Sequence, residues 1–112
     1  MIDPLPLVYN FHAMKTLEEI KQILREQQPH LRQRYGIQIV GVFGSYVRGE
    51  QTAESDVDVL IDLTTESNLS LIGLIELEDQ LGGLFGRKAD IVIRENLRKR
   101  IGQRILAEVV PV

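Results

Sequence analysis

The sequence predicts an α/β domain in which helices cover a small sheet. Three observations carry that expectation. Short runs rich in β-branched residues occupy 37–43, 57–63 and 89–93; helical periodicity fills the stretches around them; and 112 residues allow one hydrophobic core, not two. The expected order is helix, strand, turn, strand, helix, strand, helix.

Residues 1–13, MIDPLPLVYNFHA, contain Pro4 and Pro6 without a clear period and are expected to form a loosely ordered leader. The domain proper is then 14–112, with Met14 as an alternative start of translation. Thr16 and Glu19 have capping-box spacing, and Leu17, Ile20, Leu24, Leu31 and Tyr35 share one helical face, so a first helix runs to Gly36. Pro29 predicts a kink or a short break within it.

IQIVGVF, 37–43, reads as a buried strand ending at Gly44; VDVLIDL, 57–63, reads as the second and ADIVI, 89–93, as the third. Between the last two, Leu71, Leu74, Ile75 and Leu81 recur at helical spacing until Gly82 and Gly83 stop them. This stripe in 69–84 reads as core, with Ile72 and Leu77 lying off it and free for oligomerisation. A last helix from Leu97 to about Val110 places Leu97, Ile101 and Ile105 on one face.

Composition narrows the function classes. Hydrophobic residues at 44% and charged residues at 26% suit a soluble globular core. The net charge of −3 argues against binding nucleic acid through the overall field, and no direct nucleic-acid binding is expected. Absence of cysteine excludes disulfides, thiolate zinc sites and a cysteine nucleophile. No apolar run approaches the ~20 residues of a membrane span, and the N-terminus lacks a signal-peptide pattern, so a cytoplasmic protein is expected.

GVFGSYVRGEQTAESDVDVLID, 41–62, carries the chemistry. Side chains alternate along a strand, so Asp56 and Asp58 project to one side while Val57, Val59, Ile61 and Leu63 project to the other. Two like charges so close call for compensation, and hard Mg²⁺ with its preference for carboxylate and phosphate oxygens supplies it best. At Gly44-Ser45 a glycine permits close backbone approach, and the following N–H groups with the serine hydroxyl can donate to phosphate. A phosphate turn beside a carboxylate pair suits chemistry on a nucleoside triphosphate. Asp90, opening the third strand, would converge on the pair if that strand lies beside the second; it could complete a metal's coordination and take the proton of an attacking hydroxyl.

The string Val42-Phe43-Gly44-Ser45, ten residues, then Asp56-Val57-Asp58-Val59 resembles the signature of the polymerase-β-type nucleotidyltransferase superfamily. The GSYVRGE context and the chain length are most similar to the minimal nucleotidyltransferases, the MntA-type antitoxins paired with HEPN-domain toxins, from about Lys15 to the C-terminal EVV. The resemblance implies a polymerase-β-like core with a small mixed sheet. It implies that Gly44 and Ser45 hold the triphosphate of ATP, that Asp56 and Asp58 bind two Mg²⁺, and that Asp90 is the third carboxylate, ligand and base. Arg48 falls where GSxARGE has arginine and takes a supporting role in phosphate binding or in shaping the turn; Val47 departs from the alanine of that pattern. The implied reaction moves AMP from ATP to a tyrosine of a HEPN ribonuclease toxin, which is silenced within a hetero-oligomer.

Blander readings stand beside these. Asp56 and Asp58 could be solvated residues at a strand start, and Ser45 a helix N-cap. Glu50 and Glu54 read as surface residues and Asp62 as a strand-end residue. Residues 94–104, RENLRKRIGQR, hold five basic residues against one acid, and either contact phosphate or an acidic partner or form a solvated helix face. His12 and His30 lack partners at metal-binding spacing, and Tyr46 reads as packing. Two rival functions follow. A non-catalytic antitoxin could mask its toxin, although masking does not require a carboxylate cluster; transfer of AMP to a small molecule such as an aminoglycoside lacks the extra substrate domain it would need.

Overall fold

A computed structural model describes residues 15–112, so the leader 1–13 with His12, and Met14, lie outside the described residues. Helix α1, Leu17–Tyr35, starts at a complete capping box: Thr16 Oγ1 accepts the Glu19 N–H at 3.1 Å and Glu19 Oε1 accepts the Thr16 N–H at 2.9 Å. It ends at Gly36, which is left-handed (φ 68°) and has no room for a side chain, since a Cβ there would lie 2.6 Å from Ser67 Cα. Pro29 does not break the helix. Its missing N–H removes one rung, while Ile20, Leu24, Leu31 and Tyr35 keep a continuous buried stripe across it.

The three strands have the expected bounds: β1 Ile37–Phe43, β2 Val57–Leu63 and β3 Ala89–Ile93. They form one mixed sheet in the order β1-β2-β3, with β1/β2 antiparallel and β2/β3 parallel. The β1/β2 register runs Ile39↔Ile61 and then Gly41↔Leu60, so Val40 is the extra residue of a β-bulge. The outer edge of β1 is covered. Gln28 of α1 donates to the Ile37 carbonyl at 2.9 Å and accepts the Ile39 N–H at 2.7 Å, and Val110 exchanges two 2.9 Å backbone hydrogen bonds with Val42.

A four-residue helix α2, Ser45–Arg48, replaces the expected turn after β1. Helix α3, Leu71–Phe85, follows β2, with the Ser70 hydroxyl accepting the Gly73 N–H at 3.0 Å. Two expectations for it fail. It does not stop at Gly82 and Gly83 but continues to a left-handed Gly86; a Cβ on Gly82 would lie 3.0 Å from the Arg87 carbonyl oxygen, so that glycine serves the close return of the chain. The helix is also rotated from the expected phase. Gly73, Leu77, Leu81 and Phe85 face inward, whereas Leu71, Ile72 and Ile75 are 73%, 72% and 57% exposed. In so apolar a segment several stripes compete, and the one that is buried brings Gly73 against Tyr35.

After β3 a 3₁₀ turn, Arg94–Asn96, leads into α4, Lys99–Glu108, shorter than expected at both ends. The main core lies between α1, α3 and one sheet face, which supplies Ile37, Ile39, Val42, Val57, Val59 and Ile61. On the opposite face Phe43, Asp58, Leu60 and Asp62 follow from the register. No helix of the described residues is long and apolar enough to cross a membrane.

Candidate active site

The site forms where β1 ends. Gly44 has φ 83° and ψ −153°, a conformation costly for any residue with a side chain, and a Cβ there would lie 2.0 Å from Asp58 Oδ2. The glycine is thus what lets the Asp58 carboxylate lie against the turn. Gly44, not Ser45, is the N-cap of α2, and Ser45 is its first residue. Tyr46 packs into the core at 2% exposure, as expected, and its hydroxyl has no partner among the described residues; Val47 lies partly against the same core.

The parallel register sets Asp58 opposite Asp90, so the third strand does lie beside the second. Asp56 precedes β2 and is half-buried. Burial, first, and then the charges of Asp90 and Asp56 push the Asp58 pKa up to about 6, with Arg48 pulling weakly the other way. The three expected carboxylates therefore feel one another. Among the described residues, however, no three His, Cys, Asp or Glu side chains are already gathered into a metal-holding cluster. The donors nevertheless fit a hard cation, since all are carboxylate oxygens whose mutual repulsion a cation would relieve.

Arg48 is held between two acids, through Nε to Glu50 at 2.7 Å and Nη1 to Glu108 at 2.6 Å. Glu108 also accepts the Gly44 N–H at 2.7 Å. These hydrogen bonds hold the Glu108 carboxyl below its ordinary pKa. Sequence reasoning missed Glu108 entirely. The available signal was an acid in the last turn of a basic helix, where the helix dipole disfavours it unless it is paired.

A cavity of about 330 Å³ opens beside Asp58, walled by Phe43, Ile101 and Ile105 and bordered by Arg48 and Arg104. Ile101 is 52% exposed and contributes to this wall instead of the core stripe expected for it. The basic segment 94–104 divides accordingly: Arg104 borders the cavity, Arg94 forms a two-pronged ion pair with Asp62, and Arg98, Lys99 and Arg100 are exposed. Glu54 and His30 are exposed, as expected of surface residues.

Residues 17–110 match the nucleotidyltransferase domain family. The chain belongs to that family. This nucleotidyltransferase is 48% identical over 98 residues to the protein adenylyltransferase MntA of Thermococcus cleftensis, covering 88% of this chain and 97% of the relative. A solved structure provisionally described as a minimal nucleotidyltransferase superposes with a TM-score of 0.69 at 34% identity, over 88% of this chain and 97% of that one. A second, of a toxin–antitoxin with AMP-PNP, superposes with a TM-score of 0.63 over 87% of this chain and 72% of that one; at 23% identity it shares the fold. As an enzyme, this nucleotidyltransferase presents its Gly44 turn and Asp58 on the cavity side of the sheet.

Proposed function

We propose that this nucleotidyltransferase is the antitoxin of a toxin–antitoxin pair, a cytoplasmic protein adenylyltransferase that moves AMP from ATP onto a tyrosine of a HEPN ribonuclease and silences it. The Asp58–Asp90 pairing beside Gly44 carries the reading, because it sets coupled carboxylates against a turn that excludes every side chain but hydrogen. The name of the 48% identical relative supports protein as the acceptor class.

In this reading the hydroxyl oxygen bonds to the α-phosphorus, the bond between α- and β-phosphates breaks, pyrophosphate leaves, and Asp90 takes the hydroxyl proton. Ser45, with its own N–H and that of Tyr46, faces the triphosphate, the Gly44 N–H being committed to Glu108 and the Val47 and Arg48 N–H groups to the Gly44 carbonyl. Arg48 and Arg104 border the cavity with their positive charge, and its apolar wall, Phe43, Ile101 and Ile105, suits the base or the sugar. Asp56, Asp58 and Asp90 would hold two Mg²⁺, which when bound neutralise phosphate oxygens and raise the electrophilicity of the α-phosphorus.

A second reading, neutralisation by binding alone, draws on the exposed Leu71, Ile72 and Ile75 of α3, an apolar surface that a partner could cover. Intact-mass measurement separates the two. The protein is mixed with ATP, Mg²⁺ and the product of the neighbouring gene, with Asp58→Asn alongside. An AMP adduct on the partner with the native protein only is the expected result; a tight complex without adduct would leave masking as the function.

A further inference from the structure

Glu108 joins the end of α4 to the Gly44–Arg48 turn, about sixty residues earlier in the sequence. One carboxylate oxygen accepts the Gly44 N–H at 2.7 Å and the other accepts Arg48 Nη1 at 2.6 Å. Its backbone is anchored just beyond it: the Val109 N–H donates to the Ile105 carbonyl at 2.8 Å, and Val110 is paired with Val42, two residues before Gly44. Placement of the carboxylate is therefore set by the sheet and by α4 together, not by a mobile side chain alone.

An acid at a helix C-terminus works against the dipole of its own helix. Here that cost is offset by the first amide of the Gly44 turn and by a guanidinium, and charge-assisted hydrogen bonds of this kind are among the stronger ones in proteins. Arg48, with Nε on Glu50 and Nη1 on Glu108, is fixed in two directions, and Nη2 remains uncommitted among the described residues. The same arginine borders the cavity beside Asp58.

We propose that Glu108 is a positioning residue for the nucleotide, fixing the Gly44 turn and the Arg48 guanidinium in one arrangement before the triphosphate arrives. Preorganisation of this type acts on affinity by removing the ordering cost from the binding step. The inference rests on the reading of the Gly44 turn as the triphosphate turn. It makes α4 part of the active site through its final residue, although Glu108 itself need not touch substrate.

The test combines calorimetric titration of Mg²⁺–ATP with the amide proton resonance of Gly44, in native protein, Glu108→Ala, Glu108→Gln, Arg48→Ala and the Arg48→Ala/Glu108→Ala double variant. Glu108→Ala is expected to weaken ATP binding about tenfold or more with the far-UV spectrum unchanged, and to shift the Gly44 amide upfield as its acceptor is lost. Glu108→Gln keeps one carbonyl acceptor and is expected to hold the Gly44 resonance near its native position and recover part of the affinity. The double variant should lose less than the sum of the two single losses, since part of what Glu108 does is done through Arg48. Should Glu108→Ala not fold, Glu108→Gln and Arg48→Ala carry the comparison. ATP binding by Glu108→Ala within twofold of native, or fully additive effects in the double variant, would overturn the proposal. A native protein that binds no ATP would instead overturn the nucleotide reading of the turn, and this proposal with it.

Discussion

Asp58 and Asp90 are cross-strand partners in the parallel half of the sheet, and the first sits under the turn at Gly44 while the second stands exposed at the open side. Parallel pairing places both side chains on the same sheet face. The asymmetry of their surroundings makes Asp58 the strained member of the pair, lifted to about 6 by burial and by its neighbours' charges.

That shift predicts a pH dependence. The folded pKa of Asp58 lies above its unfolded value of 3.8, so its contribution to stability is fully present below about pH 4 and is lost as the pH rises through about 6. Because the group is only half-buried, solvent screening reduces the effect to about 1 kcal/mol. Thermal melts of the metal-free protein between pH 4 and 7 should show a decline that Asp58→Asn flattens. At pH 7, Mg²⁺ should raise the melting temperature of native protein more than that of Asp58→Asn.

Gly44→Ala should abolish nucleotidyl transfer and destabilise the fold. The added methyl meets Asp58 Oδ2 at 2.0 Å in a backbone conformation that L residues avoid. A loss of about 1–3 kcal/mol is expected by urea denaturation, with turnover falling more than about 100-fold as the carboxylate is displaced.

Leu77→Ala should cost about 2–5 kcal/mol, the range for truncating a fully buried leucine. Ile72→Ala, five residues earlier on the exposed side, should stay within about 0.5 kcal/mol. Paired urea titrations decide the phase of α3 directly; equal costs for the two would show that the helix is rotated from the arrangement described.

Thr16→Ala removes the hydroxyl that accepts the Glu19 N–H and so dismantles the capping box of α1. A loss of about 1 kcal/mol is expected in chemical denaturation.

Much of this arrangement was legible before the structure. The three strands were readable to the residue because β-branched runs in 37–43, 57–63 and 89–93 are bounded by clear breaks. The place of Asp90 beside Asp58 followed from the same pattern once the third strand was set next to the second. Helix α3 was misread because period alone cannot choose between stripes when Leu71, Ile72, Leu74, Ile75, Leu77 and Leu81 crowd fifteen residues; the choice is made by tertiary packing, which buries Gly73, Leu77, Leu81 and Phe85. Gly82 and Gly83 looked like a stop because glycine usually is one, yet close packing under Gly82 needed a missing side chain more than the helix needed an end. Glu108 was invisible for a plainer reason: its partners lie some sixty residues away, and no local pattern encodes them.

The bulge at Val40 has a consequence for parity. Ahead of it, Ile37 and Ile39 alternate with Gln38 in step with Leu63 and Ile61; beyond it, Val42 stands opposite Val59 and Phe43 opposite Asp58. An unbroken ladder would continue 41↔59 and 43↔57, sending Phe43 into the main core and Val42 toward the carboxylates. One surplus residue thus acts as a half-turn in the strand's counting, switching odd positions for even just before the chain reaches Gly44. A single deletion within β1 would leave Gly44, Asp58 and Asp90 all present and aim the turn at the wrong side of the sheet.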